Sequence, residues 1–149
     1  KDERKELLLS YYKRLINIDP KINGDAAIAW ARYEANCSTL LPNASISEEF
    51  VNIQMALNLA RIEAHYFLNN LFLEEGQLLK NINRIKNING YIIQGRYDAI
   101  CPPESAYDLA NAWPNATLQI IEKAGHSSLE EPIQKALLET MAAVQKKIQ

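Results

Sequence analysis

Glycine is scarce in this chain. Its 149 residues hold five glycines, Gly24, Gly76, Gly90, Gly95 and Gly125. None is followed by x-S-x-G, the sharp strand-to-helix turn that presents a nucleophilic serine. Ser10, Ser38, Ser45, Ser47, Ser105, Ser127 and Ser128 all lie outside such a context, and no HGGG-like stretch offers an oxyanion hole. Cysteine is scarcer still. Cys37 and Cys101 are far apart and lack the spacing of metal ligands, and H-E-x-x-H is missing, so metal-dependent chemistry is not expected. Two isolated thiols suit a cytoplasmic protein, which is the expected location. No apolar run is long enough to cross a bilayer, and no signal peptide is visible. A formal net charge of −2 gives no electrostatic reason to expect nucleic acid or an anionic membrane as a partner. Internal repeats and low-complexity segments are absent.

What is present is an ordinary globular composition, 48% hydrophobic, at a length that fits one domain. The pattern changes near residue 87. Before it the periodicity is helical. Leu7, Leu8, Tyr11, Tyr12, Leu15 and Ile16 recur at helical spacing, and Asp19-Pro20 ends that helix. Asn23 to Asp25 can cap a second helix reaching about Ser38, with Ala26, Trp30, Tyr33 and Cys37 on one side. Leu41-Pro42-Asn43 reads as a turn. Ser45-Ile46-Ser47-Glu48-Glu49 is a capping signature for a long third helix whose stripe is Phe50, Ile53, Leu57, Ala60, Ala64, Phe67 and Leu71. Glu74-Glu75-Gly76 closes that helix or starts a new turn, and residues 77–87 hold a short helix. After residue 87, strand and helix alternate: strand 90–94, helix 103–112, strand 117–121, and a last helix from about Pro132, suited to a first helical position, to Lys147.

The two strands end in the most informative residues of the chain. Gly95-Arg96-Tyr97-Asp98 follows the first and Gly125-His126-Ser127 follows the second. A strand–helix–strand unit is almost always a right-handed crossover with parallel strands. Both carboxyl ends then share one sheet edge, where open α/β sheets keep their sites. If the strands are neighbours, roughly 5 Å apart, Asp98 and His126 reach hydrogen-bonding distance. Singly, Asp98 reads as a turn residue and His126 as a loop histidine. Together, acid before histidine is the back two-thirds of an α/β-hydrolase triad whose serine is absent. The chain also opens inside a charged run, Lys1 to Glu6, without an initiator methionine. It is therefore expected to be the C-terminal part of a larger enzyme, inactive without its N-terminal half. A two-stranded parallel sheet points the same way, since parallel sheets need cover on both faces. Cys101 follows the Asp98 loop, where a nucleophile could stand, but it reads better as a small buried residue before Pro102.

The strings Ala29-Trp30-Ala31-Arg32-Tyr33-Glu34, Ala60-Arg61-Ile62-Glu63-Ala64-His65-Tyr66-Phe67, Gln94-Gly95-Arg96-Tyr97-Asp98-Ala99-Ile100-Cys101-Pro102, Asp108 to Pro114 and Ala124-Gly125-His126-Ser127 resemble the proline iminopeptidase (prolyl aminopeptidase) family, in order and over nearly the whole chain. The departures are Tyr33, where the family pattern has tryptophan, and the absent nucleophile. The resemblance implies an α/β fold, specifically an α/β-hydrolase fragment. Residues 1–87 would be a helical cap, and residues 88–149 a parallel strand–helix–strand–helix segment of the core. It implies that Asp98 and His126 are the acid and base of the triad, and that no cofactor is needed. It implies that Glu34 and Glu63, with Trp30 and Phe67, bind the substrate, a peptide with N-terminal proline.

The chemistry of that last assignment is sensible. A secondary ammonium has two N–H donors and one positive charge, which two carboxylates match. Trp30 stands four residues before Glu34, and Glu63 four before Phe67, so each pair shares a helix face. Read from pattern alone, both glutamates are equally at home as solvated flank residues. His65 is given no role, and Arg61 is left between pairing with Glu34 and serving its own helix. Two rivals stay open. Another capped α/β hydrolase, an esterase or epoxide hydrolase, would share the strand-end acid and histidine but has no reason to keep Glu34 and Glu63. A non-catalytic binding module would leave Asp98 and His126 idle.

Overall fold

A computed structural model of the chain describes residues 2–41 and 52–148. The expected turn at Pro42-Asn43, the capping run Ser45 to Glu49 and Phe50 lie outside the described residues. The described residues form two compact units. One comprises residues up to Asn36 and from Asn52 to Glu75; the other comprises Cys37–Leu41 and everything from Gly76 onward. The change of pattern near residue 87 is thus not where compactness divides the chain.

The first unit is helical. Helix α1 is Leu7–Leu15, α2 is Pro20–Ser38 with its last two residues belonging to the other unit, and α3 is Ile53–Leu68. Asp19-Pro20 does more than end α1. The Asp19 carboxylate accepts from Lys21 N at 2.9 Å and its carbonyl from Asn23 N at 3.1 Å, so Asp19 is the N-cap of α2 and Pro20 its first residue. This corrects the expected start at Asn23 to Asp25. The core is built from small residues: Ala26, Ala27 and Ala31 of α2 and Ala56, Ala60 and Ala64 of α3, with Leu57 and the fully buried Leu15. Alanine on facing helices lets backbones approach, and Leu8, Tyr11, Tyr12 and Trp30 pack around that centre. The expected stripe of α3 is accordingly only half right. Leu57, Ala60 and Ala64 are buried, whereas Ile53 and Phe67 are about half exposed and Ala56 takes an inner place. Tyr33 of α2, expected on one side with Ala26, Trp30 and Cys37, is 72% exposed, whereas Ala26 is buried.

Helix α3 begins after Asn52, whose side chain accepts from Met55 N at 3.1 Å. It stops at Leu68, short of Leu71, because Asn70, Leu71 and Phe72 take φ of 50°, 55° and 57°. Left-handed backbone in three successive residues with Cβ atoms cannot continue a right-handed helix. Arg61, unassigned from sequence, reaches neither Glu34 nor its own helix: its Nε donates to Leu15 O at 2.7 Å. That carbonyl is one of the orphan acceptors at the end of α1. Arg61→Ala should therefore destabilise the chain by about 1.5–3 kcal/mol, the loss of a charge-assisted hydrogen bond. Urea unfolding would show it as a lower midpoint at unchanged slope.

The second unit contains α4 (Gln77–Lys80), β1 (Gly90–Gly95), α5 (Pro103–Ala112), β2 (Ala116–Ile121) and α6 (Glu131–Ile148). Gly76, at φ 68°, starts α4, and a 3-10 turn, Ile82–Arg84, follows it. Helix α4 packs on α5, which explains why residues after Gly76 belong with the strands. The strands pair in parallel, as expected from the crossover, with Gly90 opposite Ala116 and Gly95 opposite Ile121. Among the described residues the sheet has these two strands, and α5 and α6 pack on both. Helix α6 begins at Glu131, which puts Pro132 second rather than first. The architecture is α/β with a parallel sheet. Among the described residues no helix is long and apolar enough to cross a membrane.

Candidate functional site

The register of the sheet brings the two strand ends level. Arg96 N donates to Ile121 O and Tyr97 N to Ala124 O, each at 3.0 Å, so the loops leaving the strands run together for two more residues. That approach needs Gly95. A methyl group there would overlap the Gly125 carbonyl oxygen and sit 2.8 Å from its carbon, and both are backbone atoms that no rotamer change can move. Gly95→Ala should cost about 3 kcal/mol or more, at the upper end of overpacking, because the relief must come from the backbone. A guanidinium titration would measure it.

Beyond that contact the loop turns on Asp98. Its Oδ1 accepts from the amides of Ile100 (3.0 Å) and Cys101 (2.8 Å), an Asx-type turn. Its Oδ2 accepts from Gln94 Nε2 at 3.1 Å and faces His126 Nδ1 at 3.0 Å. The Asp98 side chain is only 6% exposed, whereas that of His126 is 39% exposed. A buried carboxylate with four polar partners stays in one orientation. As an acceptor it selects the Nδ1–H tautomer of His126 and leaves the lone pair of Nε2 free to take a proton. The structure thus brings Asp98 and His126 together at the ends of adjacent parallel strands.

The loop that carries His126 is held from a distant part of the chain. Ser38 O accepts from both His126 N (2.9 Å) and Ser127 N (2.7 Å). Glu130 accepts from Gly125 N at 2.7 Å with one carboxylate oxygen and from Leu40 N at 3.0 Å with the other. Sequence reasoning passed over Glu130, since a glutamate just before a helix reads as a charge favoured at the helix N-terminus.

The remaining predicted residues gather in the first unit. Trp30 Nε1 donates to Glu63 Oε2 at 2.8 Å, and the Trp30 and Phe67 rings stack with centroids 6.4 Å apart and planes 21° apart. Tyr11 meets the Trp30 ring edge-on at 5.9 Å. The Glu34 carboxyl interacts with that of Glu63. Burial, then the Glu63 charge and hydrogen bonding to its carboxyl, push the Glu34 carboxyl up to about 7, against a smaller opposing pull from the Trp30 N–H. Glu34, Glu63, Trp30 and Phe67 therefore form one cluster: two carboxylates in contact, beside two stacked rings. Such a cluster suits a ligand that is part cation and part apolar ring.

Two other residues settle differently. Cys101, expected to be a small buried residue, is exposed. Partial desolvation of its sulfur and the neighbouring Asp98 charge push the thiol up, away from the thiolate a nucleophile needs. His65 lies against the rings of Phe72 (5.5 Å) and Tyr66 (6.2 Å). Among the described residues no group of three or more His, Cys, Asp or Glu is placed to hold a metal ion.

No protein-family model matches the chain. Among curated proteins it is 41% identical over 139 residues to the "Probable proline iminopeptidase" of Leptolyngbya boryana, covering 93% of this chain and 43% of that protein. It is 44% identical over 133 residues to the proline iminopeptidase of Xanthomonas citri, covering 86% of this chain and 41% of that one. Its relatives are proline iminopeptidases. The match extends to that of Arabidopsis thaliana, 41% identical over 133 residues, 89% of this chain and 35% of the plant protein. The resemblance carried by the strings around Glu34, Glu63, Asp98 and His126 thus holds across most of the chain. The chain spans less than half the length of these relatives.

Proposed function

We propose that this chain is the C-terminal portion of a serine aminopeptidase that releases proline from the N-terminus of peptides. Its first unit would be the helical cap of an α/β hydrolase, and its second the last two strands of the core. The observation that carries this reading is the Asp98–His126 hydrogen bond at the ends of neighbouring parallel strands, in a chain related to proline iminopeptidases. No G-x-S-x-G is present in the 149 residues, so the nucleophile is supplied by a segment outside them. His126 Nε2 takes the proton of that serine hydroxyl as its oxygen attacks the prolyl carbonyl, and gives it to the departing amine. The prolyl ester left on the serine is then hydrolysed by water, activated by the same nitrogen. Asp98 holds the imidazole tautomer and stabilises the imidazolium.

Glu34 and Glu63 hold the secondary ammonium, and Trp30 and Phe67 face the pyrrolidine ring. The reaction needs no cofactor, and the setting is the cytoplasm, where two free thiols persist. The test is hydrolysis of a prolyl-anilide by the chain alone and after co-refolding with a polypeptide carrying the serine motif of a relative. Activity in the combined sample alone is the expected result. Inactivity of a combined sample that is demonstrably folded would overturn the assignment, and cleavage of simple acyl esters without preference for free proline would move it to an esterase.

A further inference from the structure

Glu130 lies just before α6, and its carboxylate, in a half-buried residue, is engaged with backbone on both oxygens. The partners are two amides: Gly125 N at 2.7 Å, immediately before His126, and Leu40 N at 3.0 Å, 90 residues away in the chain. Bonds of this kind, from an amide to an ionised acceptor, are the strong ones. Beside them, Ser38 O takes the next two amides, His126 N at 2.9 Å and Ser127 N at 2.7 Å. Three consecutive N–H groups, 125 to 127, are thus fixed to the segment 38–40 directly or through Glu130. The loop closes on itself as well, with Glu130 N donating to Ser127 O at 3.1 Å and Leu129 N to Ser127 Oγ at 3.1 Å. The fit is tight: a Cβ on Gly125 would lie 2.9 Å from Leu40 N.

We propose that Glu130 is the positioning residue of His126, which rests on reading His126 as the base. The imidazole hangs on backbone that these amide bonds tie to the segment 38–40, and its Nδ1 must stay 3.0 Å from Asp98 Oδ2. A carboxylate is the group for the task. Both oxygens accept, so one side chain satisfies two donors from segments that share no secondary structure. A glutamine of the same shape has one accepting oxygen and would turn an NH₂ toward one of the two amides. Glu130→Gln should therefore release one anchor and let the loop drift while leaving the volume unchanged.

The experiment labels the full chain with ¹⁵N-histidine and reads the two imidazoles, with His65 as the internal reference. In the parent chain His126 should show the Nδ1–H tautomer alone. In Glu130→Gln it should become a mixture of tautomers while the His65 signals stay in place. In the active combination with the serine-bearing polypeptide, kcat should fall about 10- to 100-fold with KM within about twofold, the signature of a misplaced catalytic group. Unchanged His126 ring signals in the variant would overturn the proposal. So would solvent-rate hydrogen exchange at the Gly125 and Leu40 amides of the parent chain, a measurement that stands even if the variant does not fold. A tautomer change without any peptidase activity in the parent combination would keep the positioning role and reject the aminopeptidase reading instead.

Discussion

Asp98→Asn should lower kcat for prolyl-anilide hydrolysis about 10⁴-fold, the scale seen when a triad acid is replaced by its amide, with KM little changed. The hydrogen bonds dictate this outcome. Oδ1 accepts from two backbone amides, Ile100 N and Cys101 N, so the asparagine oxygen must take that position. Its NH₂ then replaces Oδ2, where it meets the Gln94 amide and His126 Nδ1. The imidazole can satisfy that NH₂ only as an acceptor at Nδ1, which moves its own proton to Nε2. The nitrogen that should take the serine proton is then already protonated. The fold survives, because the two backbone amides keep their acceptor. Asp98→Ala is the poorer test: it leaves buried N–H donors unpaired, at about 1–3 kcal/mol each, and confuses stability with chemistry. Single-turnover kinetics on the combined enzyme would separate acylation from binding. A loss under tenfold would remove Asp98 and His126 from the proposed mechanism.

The reach from sequence to this site was long in one direction and short in another. The pairing of Asp98 with His126 was legible because a strand–helix–strand crossover has one dominant geometry and places successive strand ends side by side. Trp30 with Glu34, and Glu63 with Phe67, were legible as faces of single helices. Much of what was not legible depends on contacts between segments remote in sequence. Arg61 has several local acceptors in any helical reading, and nothing in its neighbours points to Leu15 O. Glu130 carries a local explanation, helix-leading charge, that hides its bond to Leu40. On α3 the expected Leu57, Ala60 and Ala64 do turn inward, but hydrophobicity also favours Ile53 and Phe67, which stay half exposed, whereas close helix packing adds Ala56. Asp19-Pro20 has the pattern of a helix stop, and it is also the start of the next helix; the same dipeptide does both. The left-handed run at Asn70 to Phe72 has no glycine to announce it.

The carboxylate pair makes the second large prediction, a pH-dependent grip on a cation. Glu34 is pushed up to about 7, first by burial and then by Glu63. Below that pH the pair holds a proton between its carboxylates and carries less negative charge. A secondary ammonium entering there must displace the proton. Affinity for prolinamide should therefore rise by up to about tenfold per pH unit from pH 5 toward 7 and level off above it, as one displaced proton requires. Stability should move the opposite way. A carboxyl whose folded value lies above its ordinary 4.5 favours the folded state fully below 4.5, and that contribution is lost as pH rises through about 7. The chain should unfold at a lower temperature at pH 8 than at pH 5, by less than the shift alone implies, because the pair is partly solvated. Glu34→Gln should abolish both slopes. It should also weaken prolinamide binding at pH 8 by about 10- to 100-fold, the loss of one charge-assisted hydrogen bond. Calorimetry across pH 5 to 8 reads the affinity and thermal unfolding reads the stability. A Glu34→Gln chain that keeps the parent's pH slope would show that the proton resides elsewhere. A parent chain indifferent to prolinamide at every pH would leave the two carboxylates without the cation they are proposed to hold, and would favour a neutral acyl substrate.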